Sequence, residues 1–201
     1  MLKVRKTSTF YISMALCFFG LNLNSQNPFI ENKGQFPKEV KSKVNLPSGS
    51  LFIEEGRLIY TFYSAKKLAE IHDLKASNKT IEAHAYLIDF INSSPHISTE
   101  LLEESRYYEN YFLGDKSKWV TNIKTYKTLY QKNIYDGIDI KYYVEKDRLK
   151  YEMIVAPNSS TNEIKLKYKG ADKIRLEREN LYITTSVNKI KEHRPYAYQI
   201  I

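Results

Sequence analysis

Through the second half of the chain, apolar side chains recur at every second position. Ile138, Ile140, Tyr142 and Val144 share one parity, with Asp139 and Lys141 between them. Leu149, Tyr151, Met153 and Val155 repeat the pattern against Lys150 and Glu152. A period of two is the signature of a strand with one face buried. The short polar link Glu145–Arg148 therefore predicts a β-hairpin. After the break at Pro157–Ser160, Ile164, Leu166 and Tyr168 alternate with Lys165, Lys167 and Lys169. Gly170–Asp172 turns the chain into a neighbouring strand with Ile174 and Leu176 inward and Lys173 and Arg175 outward. Arg178–Asn180 turns it again into Leu181, Ile183 and Thr185. Short strands at such even spacing predict an all-β, antiparallel β-sandwich.

The first half is less regular. Leu51–Glu54 and Leu58–Tyr63 flank Glu55-Gly56, a second hairpin signal, and Ala83–Phe90 reads as a further strand. Ala65–Lys75 has the composition of one short surface helix. The polar stretch Asn92–Glu104, with Pro95, reads as loop. At the N-terminus, Lys3, Arg5 and Lys6 precede an apolar run from Phe10 to Leu23, and Asn24-Ser25 offers a small-residue exit. These are the parts of a secretory signal peptide, and the run is short for a membrane-spanning helix. The expected organisation is a signal-peptide helix over 1–25 and a β-sandwich module over 26–201. The expected location is outside the cell, with membrane contact only through an uncleaved leader.

Removing that leader takes away Cys17, the one cysteine, so the module must hold together without a disulfide. It also lowers the net charge of +8 by three. A modest basic excess spread over a domain suits a polyanionic surface without pointing to nucleic acid. Seventeen tyrosines against one tryptophan fit strands, and also fit a binding face.

Candidate chemistry is thin. His72, His84, His96 and His193 lack the short ligand spacings of a metal site. Asp136-Gly137-Ile138-Asp139 has too few oxygen ligands for a calcium loop, because Tyr142-Tyr143 follows where ligands belong. Glu54-Glu55 would point to opposite faces of a strand, and no nucleophile or phosphate-loop motif is present. No catalytic residue, metal or cofactor is assigned. The alternative reading, a glycan- or peptide-processing enzyme or its accessory binding domain, would need carboxylates converging with each other or with His84 or His193 across a cleft.

The richest aromatic stretch is Arg106–Gly114, followed by Trp119. Phe112 and Leu113 suit core packing, and Trp119 suits either the end of the sandwich or a binding face. The candidate ligand-binding residues are Tyr107, Tyr111 and Trp119, joined by the basic stripe of Lys165 and Lys167. Alternation by itself also explains the lysines, because one face of such a strand must be polar.

Several stretches taken together resemble a known family. They are Phe29–Gln35, Asn110–Gly114 with Trp119–Asn122, Tyr130–Tyr143, Tyr151–Pro157, Tyr168–Asp172 and Arg194–Gln199. The chain is similar to the N-terminal domain of unknown function in SBBP (β-propeller) repeat proteins, many of them from Bacteroidetes. The resemblance implies a secreted or surface protein. In many members of that family, propeller repeats, immunoglobulin-like modules and a type IX secretion or gliding-motility-associated sorting domain follow the domain. Further strands are then expected after Ile201, making this module a truncated one. The partners implied are surface polysaccharide or those downstream domains, and no catalytic residues carry over.

Overall fold

The computed structural model describes residues 10–17, 29–72, 80–145 and 148–199. Strands β9 (Ile138–Glu145) and β10 (Arg148–Val155) form the hairpin that the alternation predicts, in register from Glu145 opposite Arg148 to Ile138 opposite Val155. Ile138, Ile140, Tyr142, Leu149, Tyr151, Met153 and Val155 are all buried. The earlier hairpin is β4 (Gly49–Glu54) with β5 (Arg57–Tyr63). Its turn places Gly56 at φ +76°, where a residue without Cβ is unstrained. β3 (Val40–Leu46) pairs with β4, and β6 (Ala83–Phe90) pairs with β5. Between β5 and β6, helix α1 (Ala65–His72) occupies the predicted surface position; residues 73–75 lie outside the described residues.

The long hairpin of β7 (Ser98–Tyr111) and β8 (Val120–Tyr135) organises the rest. One edge of β8 pairs with β7. The other serves two layers, because Thr125-Tyr126 pair with β2 (Phe29–Glu31) and Thr128–Gln131 pair with β9. The first layer runs β2-β3-β4-β5-β6 and ends in β11 (Leu166–Lys169). The second runs β9-β10-β1-β14-β13-β12, where β1 is Phe10–Cys17, β12 Lys173–Glu177, β13 Asn180–Thr184 and β14 Lys189–Glu192. β15 (Tyr196–Gln199) pairs with β1. All paired strands are antiparallel, forming a curled sheet with a small second sheet, β12-β13-β14, at one end.

Both layers contribute to one core. Tyr60, Phe62 and Tyr86 come from β5 and β6, Tyr142 and Tyr151 from β9 and β10, and Ile183 and Ile190 from β13 and β14. Side-chain bonds tie the layers together. Gln131 Nε2 donates to the Glu54 carbonyl (3.0 Å), and the Tyr168 hydroxyl donates to Glu192 (2.7 Å).

Three features differ from the sequence reading. The expected loop is strand from Ser98 onward; β7 rests on backbone pairing with β8 and is wet on both faces, so no apolar alternation marks it. β11 pairs with β6 rather than with β12, so the lysines of β11 have no continuation in Lys173 and Arg175. Ile174 and Leu176, expected inward, are exposed, Leu176 by 73%. β12 is the outermost strand of the small sheet, and no described element covers it.

The expected leader, 1–25, is described only at Phe10–Cys17, and those eight residues are extended. β1 lies antiparallel to β10 from Phe10 opposite Val155 to Ala15 opposite Lys150. Its other edge meets β15 and then β14. The remainder of the predicted signal-peptide helix, with Asn24-Ser25, lies outside the described residues.

Candidate ligand-binding site

The β7–β8 hairpin carries its aromatic residues to the tip. Tyr107, Tyr108, Phe112, Leu113 and Trp119 are all solvent-exposed, Tyr107 by 67% and Leu113 by 71%. Core packing therefore does not explain Phe112 and Leu113. Trp119 ends a single 3₁₀ turn over Lys116–Lys118, capped by Asp115, whose carboxylate accepts from Ser117 N at 2.8 Å. That backbone bond also holds the Asp115 carboxyl below its usual range. The Trp119 and Phe112 rings meet edge to face at 5.0 Å, and Lys116 Nζ lies 5.7 Å from the Trp119 ring centroid. Trp119 Nε1 donates to the Gly114 carbonyl at 3.4 Å, which fixes the indole relative to the turn.

A second aromatic group lies behind the tip. Tyr111 is half-buried against Phe36 (5.4 Å, edge to face), and Phe36 meets Phe52 at 5.6 Å. Lys43 reaches between them, with Nζ 5.9 Å from the Phe36 centroid and 5.8 Å from that of Tyr111. Burial lowers the Lys43 pKa, and the charge of Glu109 partly offsets this. Burial also pushes the Tyr111 phenol up, helped by the charge and hydrogen bond of Glu109.

The wall opposite the hairpin is the loop after β2, held by Asn32. Its amide nitrogen donates to the carbonyls of Pro37 (2.8 Å) and Val40 (2.8 Å), and its amide oxygen accepts from Gly34 N (2.9 Å). Gln35 Nε2 donates to the Glu31 carbonyl at 2.6 Å, while Glu31 Oε1 accepts from Lys124 N on β8 at 2.7 Å. Lys33 Nζ donates to the Asn122 carbonyl at 3.2 Å. The Glu31–Gln35 sequence thus works locally, as a polar frame that docks one loop on β8. Between loop and hairpin lies a cavity of about 400 Å³, lined by Lys33, Gly34, Gln35, Tyr111, Leu113 and Lys118 among others. Aromatic faces beside ammonium groups can stack on sugar rings and pair with their acidic substituents.

The predicted residues divide. Tyr107, Tyr111 and Trp119 share this hairpin end. Lys165 and Lys167 do not join them. The Lys165 carbonyl accepts from the Tyr135 hydroxyl (3.1 Å), at the end of sixteen-residue β8 away from the aromatic tip. The sequence reading missed Phe36, Lys43 and Lys33, which reach the hairpin only through the pairing of β2 and β3; Lys116 and Lys118, directly before Trp119, were a local signal. His84 Nε2 contacts the Gly170 carbonyl (2.6 Å) and Nδ1 the Ser186 hydroxyl (3.0 Å), which is a structural tie between β6 and the second layer. Among the described residues, no group of three or more His, Cys, Asp or Glu side chains could hold a metal ion.

A family model described as a domain of unknown function, DUF7948, matches residues 29–201. The chain belongs to the DUF7948 family. The match begins at Phe29, the first residue of β2, and takes in both the Asn32 loop and the β7–β8 hairpin of this DUF7948 domain. Comparison with curated proteins and with solved structures found no match.

Proposed function

We propose that this DUF7948 domain is a non-catalytic, exported adhesive module of a cell-surface protein, and that it holds an acidic polysaccharide at the tip of the β7–β8 hairpin. The observation that carries the reading is the exposed Phe112–Trp119 pair with Lys116 over the indole, beside a cleft rimmed by Lys33 and Lys118. An exposed aromatic group of this size is uncommon on a protein surface without a ligand. The basic leader sequence Lys3–Lys6 and the apolar run after it support export. The resemblance to SBBP-repeat proteins of Bacteroidetes, including those with type IX sorting or gliding-motility domains, supports a place at the outer surface, beside propeller or immunoglobulin-like modules.

Trp119 is the one tryptophan, so its fluorescence reports directly on the site. Titration with uronic-acid polysaccharides should shift or quench the emission saturably, while neutral glucans act more weakly. Trp119→Phe and Tyr107→Ala should each weaken retardation in a polysaccharide-containing gel about two- to tenfold, consistent with about 0.5–1.5 kcal/mol of stacking free energy. No response to any acidic or neutral polysaccharide would end the adhesive reading.

A further inference from the structure

The sheet contains a place for one strand that the DUF7948 match does not supply. β10 and the β14–β15 edge lie on opposite sides of β1, and both run antiparallel to it. They are therefore parallel to each other. Removing β1 would leave a gap one strand wide, which β10 and the β14–β15 edge could close only by moving together and pairing in parallel. The backbone groups of Lys150–Val155 would lose their partners on that edge, as would those of Tyr196–Gln199. Exposed strand edges of this kind recruit other strands. All other described strands already hold positions in the sheet.

We infer that, once the leader has been cleaved, the β10/β14–β15 gap is a docking site for an extended segment of a partner protein, which enters as an antiparallel strand. The inference rests on the export reading above, because it needs residues 1–25 to be removed. The gap specifies the occupant's chemistry. Positions 10, 12 and 14 stand opposite Val155, Met153 and Tyr151, whose side chains are buried, so the guest needs apolar residues there. Position 16 stands opposite Glu192, which is buried and has Oε1 without a partner among the described residues, so a hydroxyl or amide donor fits that place. Positions 15 and 17 stand opposite Lys150 and Lys191, and Arg148 and Lys189 flank them. Acidic residues are therefore favoured at guest positions 15 and 17, with Lys150 shared with Glu145, but not at position 13, which stands opposite Glu152.

The test uses the product secreted by an expressing bacterium, with its N-terminus established by intact mass. The probe is a fluorescent synthetic peptide of residues 10–17 carrying Ala15→Glu and Cys17→Glu. The leaderless product should bind it saturably, with Kd about 10 μM or tighter. Amide exchange across 150–155 and 191–192 should slow at least about tenfold on binding. A peptide with Ile12→Pro, which removes an edge donor, should not bind. Protein carrying Lys191→Glu should bind about fivefold more weakly, by like-charge repulsion. Absence of binding to leaderless protein, or binding indifferent to the proline, overturns the inference alone. Protection across 150–155 without peptide also overturns it, because a strand of the same polypeptide then fills the gap. A mass that retains residues 1–25 removes the export reading and this inference together.

Discussion

Glu192 sits in the core with one carboxylate oxygen accepting from Tyr168 and the other without a partner among the described residues. Burial pushes its carboxyl up to about 7, and the Tyr168 bond only partly counters that. In the folded chain with β1 in place, Glu192 thus keeps its proton where the unfolded chain has released it. Stability should fall as pH rises from about 4.5 to about 7, by roughly 2–3 kcal/mol, and level off above that. Glu192→Gln keeps the shape and removes the ionisation. Urea unfolding at a series of pH values should show this slope vanish in the variant; an unchanged slope would assign it elsewhere. Tyr86 poses the complementary case. Its ring stacks on Tyr60 at 4.8 Å, yet its buried hydroxyl has no partner among the described residues. Replacing an unpaired buried hydroxyl with hydrogen keeps the packing and removes a desolvation cost. Tyr86→Phe should therefore raise stability by about 1 kcal/mol, read as a higher Tm, and a lower Tm would reveal a bond to internal water.

At the level of elements, the hairpins differ in how much packing constrains them. Gly49 opens β4 where β5 lies directly against it; a Cβ there would sit 2.1 Å from the Thr61 carbonyl oxygen and 2.8 Å from the Phe62 ring. Backbone must move to admit even a methyl group. Gly49→Ala should cost about 2 kcal/mol or more in chemical denaturation, overpacking being a costly class of substitution. The β7–β8 hairpin is the opposite case. Its tip is exposed, so Tyr107→Ala should leave the Tm within about 1 °C while weakening ligand binding. A large fall in Tm would mean that the aromatic tip serves packing instead.

For the whole molecule, closure of the first layer depends on Asp89. Burial raises its pKa, but hydrogen bonds from Lys169 and Arg57 outweigh that and hold it below the ordinary value. The Arg57 contact is 2.6 Å and the Lys169 contact 2.5 Å, joining β5, β6 and β11. Its contribution is present above the usual carboxylate range and is lost as pH falls through it, opposite in sign to that of Glu192. Together the two groups predict greatest stability at about pH 4, between the acid loss at Asp89 and the decline set by Glu192. Asp89→Asn should move that optimum downward by removing the acid-sensitive tie, and a calorimetric pH series would show it. An optimum left in place would show that other carboxylates set the acid limb.

Alternation along residues 138–155 was enough to define β9 and β10, because a hairpin with one buried face writes its period directly into the chain. That Tyr107, Tyr111 and Trp119 lie together was legible for a similar reason, since they are close in sequence around one turn. β7 was not legible, because a strand wet on both faces needs no alternation. Nor were Phe36 and Lys43, which sit beside Tyr111 through pairing between segments distant in sequence. Lys165 and Lys167 match the aromatic group in type but are separated from it by the length of β8. Residue order along the chain determined the strands with one buried face, β9 and β10 most plainly, and which face those strands bury. Only the tertiary structure decided which strands become neighbours and where one place in the sheet is left for a guest, because edge pairing uses backbone groups that every residue carries alike.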